Sequence, residues 1–380
     1  MKYRIIYIAL IFLGMIGCLE EPTPPTIIDS LEDGAELVNY FETNGDFINS
    51  PEMPSLVTVE DVYNNRSNYL IIDVRTKDEY ILGHLDSAIQ KNPEQLVTFL
   101  DSINYSAFDK VVLVSKTGEA SSYYNCLLRL LGYSNTYSMK FGMAMWHNNF
   151  SSIHLNSNYW TVGVYNWQDL SGPYLNFNDI DYEMNNYNSL PNILYSQNGL
   201  DITEKIKERI LPLFSLEIKE REINRFSALD DLSNNSMVNC SFESIYQNYN
   251  ESSHSFDGIY LMFYGPSRMY KPLDYPKGFT GILPNHPPAA VWYSSSPDPS
   301  ITSLESLQTI PNDKLIAVCS ISGIISAYVT AYLRTMGYNA KSISFGASYF
   351  QHDSLYHRPN LREFLFREED VKNYPYEVGE

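Results

Sequence analysis

Val111–Tyr133 reads VVLVSKTGEASSYYNCLLRLLGY, and Leu315–Tyr338 reads LIAVCSISGIISAYVTAYLRTMGY. In each, an apolar run of strand length meets a short loop ending at Gly118 or Gly323, and a helical apolar pattern follows. At a constant offset of 205, Ser115, Gly118, Ser121, Tyr123, Leu128, Arg129, Gly132 and Tyr133 match Ser320, Gly323, Ser326, Tyr328, Leu333, Arg334, Gly337 and Tyr338. The helical faces agree as well, Tyr124, Leu127, Leu128 and Leu131 sharing their spacing with Val329, Tyr332, Leu333 and Met336. Gly-Tyr closes both helices, which predicts left-handed caps at Gly132 and Gly337. A strand, a glycine-bearing loop and a helix N-terminus form a ready cradle for an anion. Two weaker matches pair Val59–Tyr63 with Phe242–Tyr246, and His84…Ala88 with His286…Ala290. Two related domains in tandem are expected.

Around the first copy, strand and helix patterns alternate. Thr58 caps a short helix, Leu70–Val74 is an apolar strand, and Lys77–Leu82 and Pro93–Ile103 read as helices. Thr136–Met139 reads as a last strand before Phe141-Gly142-Met143. Such alternation implies an α/β fold whose mostly parallel sheet is flanked by helices. Between the copies the chain is rich in Asn, Tyr and Ser, without a sustained period. Asp201 and Glu204 begin a helix there that is expected to run toward Phe226, with Pro212 set to break it. Beyond His352 the chain reads as a charged tail.

With 380 residues and 44% apolar side chains, the chain can build two ordinary cores. A net charge of −19 argues against nucleic acid, which needs a basic face. At the N-terminus a short basic start precedes Ile5–Gly17, thirteen residues, too short to span a bilayer but right for a signal segment. Gly14-Met15-Ile16-Gly17-Cys18 resembles the lipobox of bacterial lipoproteins, which implies acylation of Cys18; an ordinary secretory signal cleaved nearby is the alternative. Glu20, Glu21 and a Pro/Thr stretch form a stiff polar tether. Cys126, Cys240 and Cys319 remain, an odd number that excludes a complete disulfide framework.

Leu70-Ile71-Ile72-Asp73-Val74-Arg75-Thr76-Lys77-Asp78-Glu79-Tyr80…Gly83-His84…Ala88 resembles the strand-and-turn signature of rhodanese domains, and Ser115–Ser121 aligns with their active-site loop. Lys140-Phe141-Gly142-Met143…Trp146-His147 continues the likeness. The second copy keeps the loop, the helix and Phe345-Gly346, but Tyr260–Tyr264 stands where Asp-Val-Arg would be. The resemblance is to tandem rhodanese-like lipoproteins of Bacteroidetes type. It implies a signal peptide at 1–18, a tether and helix at 19–57, a rhodanese-like domain at 58–150, and a connector at 151–235. A degenerate second rhodanese-like domain at 236–352 and a tail at 353–380 complete this division. It places the protein in the cell envelope, anchored to the outer membrane by lipid on Cys18, on the periplasmic or surface face.

Rhodanese-type sulfurtransferases carry sulfur as a persulfide on a loop-first Cys, whose thiolate the loop N–H groups stabilise. Here that position is Ser115, and Ser320 in the second copy. An alcohol titrates far above a thiol, and a helix dipole worth about 0.3–1 kcal/mol cannot close the gap. Cys319 could reach the second loop through a one-residue shift; the unbroken offset pairs it instead with Val114 at a strand end. A serine hydrolase would need His84 or His286 as base, but in the resembled fold this His belongs to a turn. Asp73, Arg75 and Glu79 are read as stabilising, with Arg75 and Glu79 an i,i+4 pair.

The expectation therefore leans against an enzyme. It is a binding or scaffold module whose loop residues Ser115, Lys116, Thr117, Gly118 and Ser121, with Ser320, Gly323 and Ser326, hold a small anion or a protein partner's acidic group. No cofactor and no metal are expected. The alternative is a thiosulfate or thiol sulfurtransferase working through Cys319.

Overall fold

The apolar runs that lead into the two loops are hydrophobic on both faces, as strands covered by helices on both sides must be. A computed structural model describes residues 30–44, 55–155, 184–197, 199–221, 230–250, 255–270, 286–287, 289–294, 303–356 and 358–380. The signal segment, Cys18 and the tether lie outside the described residues, as do 156–183 of the connector.

β1 (Leu56–Val57), β2 (Tyr69–Asp73), β3 (Ile89–Gln90), β4 (Lys110–Val114) and β5 (Thr136–Met139) form one parallel sheet in the order β1-β5-β4-β2-β3. β6 (Asn239–Cys240) opens the second sheet, and β7 (Tyr249–Asn250) pairs antiparallel with β8 (Ser255–Phe256) as a separate ribbon. With β9 (Ile259–Tyr264), β10 (Val291–Tyr293), β11 (Leu315–Cys319) and β12 (Ala340–Ile343), the second sheet runs β10-β9-β11-β12-β6, again all parallel. Taken from its β6 edge and counted along the chain, that is the strand order of the first sheet. The fold is α/β, two five-stranded parallel sheets flanked by helices.

Helices Glu119–Leu130 and Ile324–Thr335 follow β4 and β11, and every residue of both is buried. Each enters from a left-handed glycine, Gly118 at φ 89° and Gly323 at φ 81°. Each also leaves through one: Tyr133 N–H reaches Leu128 O at 3.0 Å while Gly132 N–H reaches Arg129 O at 2.9 Å, and Tyr338 and Gly337 repeat the pattern on Leu333 and Arg334 at 3.0 Å each. These paired bonds are the Schellman cap that the Gly-Tyr ends imply. The matched arginines turn inward to carbonyls, Arg129 to Ser134 at 2.7 Å and Thr136 at 3.1 Å, and Arg334 to Ala340 in β12 and Asn235 ahead of β6, both at 2.6 Å.

Three local readings change. The helix begun by the Asp201/Glu204 capping box spans only Ile202–Ile210, and a 3-10 turn, Leu211–Ser215, carries Pro212. Proline lacks the N–H that a further turn would need; of the expected continuation, 222–226 lie outside the described residues. The stretch Pro93–Ile103 divides into a 3-10 turn, Pro93–Gln95, and a helix, Leu96–Asp101. The helix Ala347–Tyr356 runs through the boundary placed at 352.

The tail beyond it is a clasp on the first sheet's layer. His84 and Glu377 exchange two backbone hydrogen bonds at 2.9 Å, Lys372 N–H reaches Met145 O at 3.1 Å, and Tyr374 N–H reaches Trp146 O at 3.0 Å. Trp146 Nε1 donates to Pro375 O at 2.9 Å, and the Tyr374 ring stacks on Tyr63 with centroids 4.0 Å apart. Tyr374→Ala is expected to cost about 2–3 kcal/mol, the scale of a lost, partly buried aromatic. Tyr374→Phe, which keeps the ring, is expected to stay within about 0.5 kcal/mol of the parent. Thermal unfolding of the two variants checks this.

Candidate functional site: a cradle filled from within

The first loop is locked on both sides. Its carbonyls at Ser115 and Lys116 accept N–H bonds from Met143 at 2.9 Å and Ala144 at 3.0 Å, and in the second copy Ser320 and Ile321 accept from Ala347 and Ser348 at 2.8 Å. Those donors follow Phe141-Gly142 and Phe345-Gly346, and both phenylalanines sit in the left-handed region, at φ 58° and 59°. The glycines are obligatory: a Cβ on Gly142 would lie 2.2 Å from Ser115 O, and one on Gly346 would lie 2.2 Å from Ser320 O. Strain of this kind, of order 1–3 kcal/mol per residue, persists only where the surroundings impose it.

Ser115 Oγ accepts from Gly118 N at 3.1 Å and Ser121 N at 3.2 Å, and Ser320 Oγ accepts from Ser326 N at 3.1 Å. The two hydroxyls are 1% and 0% exposed as residues. A loop-first thiolate would receive these same donors; here they hold an alcohol.

An anion does occupy the first cradle, and it belongs to the chain itself. Glu220 Oε1 accepts from Ser115 Oγ at 2.8 Å, Thr117 N at 3.2 Å, Thr117 Oγ1 at 2.7 Å and Ala120 N at 3.0 Å, while Oε2 accepts from Lys116 N at 2.7 Å. Five donors converge on one carboxylate, a charge-assisted arrangement.

The segment that carries Glu220 hangs on the edge of the second sheet. Glu217 N donates to Ser236 O and Val238 N donates to Glu217 O, each at 2.9 Å. Asn239, in edge strand β6, then grips Lys219 twice, accepting its N–H at 2.9 Å and donating to its C=O at 3.0 Å. Tyr124, on the helix after the loop, donates to Leu216 O at 2.8 Å. The second sheet thus aims a side chain into the first sheet's loop.

The reverse link is Glu119. Its carboxylate accepts from Phe345 N at 2.9 Å, beside Gly323. Burial raises its pKa well above the usual carboxyl value, with the Phe345 N–H opposing and the Glu220 charge adding to the rise. Lys116 pairs with Glu79. Burial alone would raise the Glu79 pKa, but hydrogen bonds from Lys116 and Thr76 hold it below the usual value. Arg75 does not pair with Glu79. It lies on Asp73, Nε at 3.0 and 3.1 Å and Nη2 at 2.5 Å, and reaches Gly83 O at 2.7 Å, because two residues past a strand end the side chain folds back over the turn.

The histidines belong to their turns. His84 stacks on Tyr80 with centroids 3.7 Å apart, and Tyr80 donates to Ala88 O at 2.6 Å. His286 stacks on Tyr270 at 3.8 Å, and Tyr270 donates to Ala290 O at 2.8 Å. The weak match of His84…Ala88 with His286…Ala290 is therefore one recurring packing unit. Cys319 is the last residue of β11, paired with Phe263 and 0% exposed, and burial pushes its thiol pKa up. Cys126 and Cys240 are buried free thiols as well, the latter pushed up to about 12 by burial. Among the described residues no group of three or more His, Cys, Asp or Glu could hold a metal ion. No helix among them is long and apolar enough to cross a membrane.

Residues 58–149 match the family model of the rhodanese-like domain. That part of the chain is a rhodanese-like domain. A rhodanese-related protein from Thermoplasma volcanium is 23% identical over 23% of this chain and 84% of its own, with a TM-score of 0.21. The thiosulfate sulfurtransferase of Pseudomonas aeruginosa is 12% identical over 92% of this chain and 70% of its own, with a TM-score of 0.23. Both likenesses are distant and bear on neither activity nor substrate. No curated protein matches the chain.

Glu119 makes stability depend on pH. The folded protein binds its proton more tightly than the unfolded chain, so this contribution is complete below the ordinary carboxyl pKa of about 4.3. It is lost as pH rises toward the raised value, by about 1.4 kcal/mol for each pH unit between the two. Glu119→Gln keeps an oxygen for Phe345 N–H and removes the titration. Its Tm is expected to exceed that of the parent at pH 8 and to converge with it at pH 4.

Proposed function

We propose that this protein is a binding or scaffold module of the cell envelope, held at the outer membrane by lipid on Cys18, in which a rhodanese-like domain has lost sulfur transfer and kept its anion cradle. The observation that carries this reading is Glu220: five donors of the first loop hold a carboxylate, where a sulfurtransferase would present a persulfide. The residues at both loop-first positions are buried alcohols. The second sheet is a degenerate second rhodanese-like domain on this reading, supported by the shared strand order, the repeated Schellman caps and the two strained Phe-Gly pairs.

Cyanolysis of the soluble form after thiosulfate treatment tests the loss of activity. Thiocyanate is expected at background level from the parent and from Cys319→Ser alike; production that disappears in Cys319→Ser would overturn the reading in favour of a sulfurtransferase. The cradle itself is expected to remain competent. In the double variant Ser115→Cys, Glu220→Ala, the N–H groups of Gly118 and Ser121 would stabilise a thiolate. Iodoacetamide at pH 7 is therefore expected to label that Cys at least about tenfold faster than Cys319, read by peptide mass spectrometry. For the anchor, mass spectrometry of the mature N-terminus should find a diacylated or triacylated Cys18, and an unmodified peptide beginning elsewhere would refute it.

A further inference from the structure

We infer that the first loop is a binding site for monocarboxylates with an apolar body, and that Glu220 is its tethered competitor, holding the site shut. The inference rests on the reading of the loop as a retained anion cradle.

The chemistry of the donor set points to a carboxylate. Lys116 N–H serves one oxygen, and Thr117 N–H, Ala120 N–H and the hydroxyls of Ser115 and Thr117 serve the other. All are neutral donors, and the nearby ammonium of Lys116 is engaged by Glu79. A monoanion meets its needs here without a formal counter-charge, whereas a dianion would meet no free cation in the loop.

Beside the carboxylate lies a cavity of about 750 Å³ that Glu220 itself helps to line. That volume falls within the range of about 300–1,000 Å³ usual for small-molecule sites. Its apolar lining is Leu82, Met143, Phe150, Ile153 and Tyr376, and the charged Arg75, Glu79, Lys116 and Arg221 line it as well. Leu82 is 71% exposed, an uncovered hydrophobic at the rim. A ligand with its carboxylate in the loop could lay an alkyl or aryl body along this wall, which the short side chain of Glu220 does not fill.

Glu220 competes from within the chain, on a segment already gripped by the edge of the second sheet. An external carboxylate succeeds only by adding the apolar contacts that Glu220 lacks. Displacement would also unload the segment that Asn239 and Val238 hold at the second sheet, so occupancy of the first loop would be read at the edge of the second.

Sodium phenylacetate is the probe, titrated calorimetrically into the soluble full chain, with phenylacetamide and sodium sulfate as comparisons. Glu220→Ala is expected to bind phenylacetate at least tenfold more tightly than the parent, to bind the amide and sulfate at least tenfold more weakly than phenylacetate, and to lose the gain when Thr117→Val is added. Glu220→Gln, close in size and uncharged, guards against a folding defect and is expected to fall between the parent and Glu220→Ala. Equal affinity of parent and both variants, binding of the amide as tight as the acid, or sulfate binding as tight as phenylacetate would each overturn the inference. None of these outcomes depends on thiocyanate formation, so failure here is separable from failure of the non-catalytic reading.

Discussion

Two helices without a solvent-facing side hold this protein together. Glu119–Leu130 and Ile324–Thr335 are buried along their whole lengths, packed on each other and each on its own sheet. A helix in that position cannot show the usual polar stripe, and its small residues, Ala120, Ser121, Ser122, Ala327 and Ala331 among them, let the layers approach. Because each helix begins at its loop, packing the helices together also brings the loops together. Gly118 meets Ile324, and Gly323 meets Glu119.

That juxtaposition makes the two halves unequal. The pair is symmetrical in backbone, with matching left-handed glycines, matching Schellman caps and matching Phe-Gly strain. It is unsymmetrical in chemistry: one loop sends a buried acid into the other, and receives a carboxylate from a segment gripped by the other's sheet. Glu220 is half-buried, and five donors satisfy its carboxylate. Glu119 is buried and takes one N–H bond from Phe345, and burial raises its pKa well above the usual carboxyl value.

The loop-first serines are consistent with this arrangement. Ser115 accepts two backbone N–H bonds and donates to Glu220, so the hydroxyl links the locked loop to its internal anion. A thiol is a weak donor and would make that link poorly.

What is local in this structure was legible in the amino-acid sequence. The strands β4 and β11, the helices after them, the left-handed ends at Gly132 and Gly337 and the Asp201 capping box all follow from residues within a few positions of one another. The offset repeat carried the likeness of the two sheets, and even the weak His…Ala match marks a real packing unit. Only tertiary structure decided where Glu220, Glu119 and the tail would go. Glu220 lies 105 positions from Ser115, Phe345 lies 226 from Glu119, and no periodicity spans such distances. Pro212 was the one local hint, since a helix ended there frees the next residues to cross to the loop. The sequence by itself determined two glycine-bearing loops that begin with serine; the folding of distant segments onto the first decided that it would hold the chain's own carboxylate.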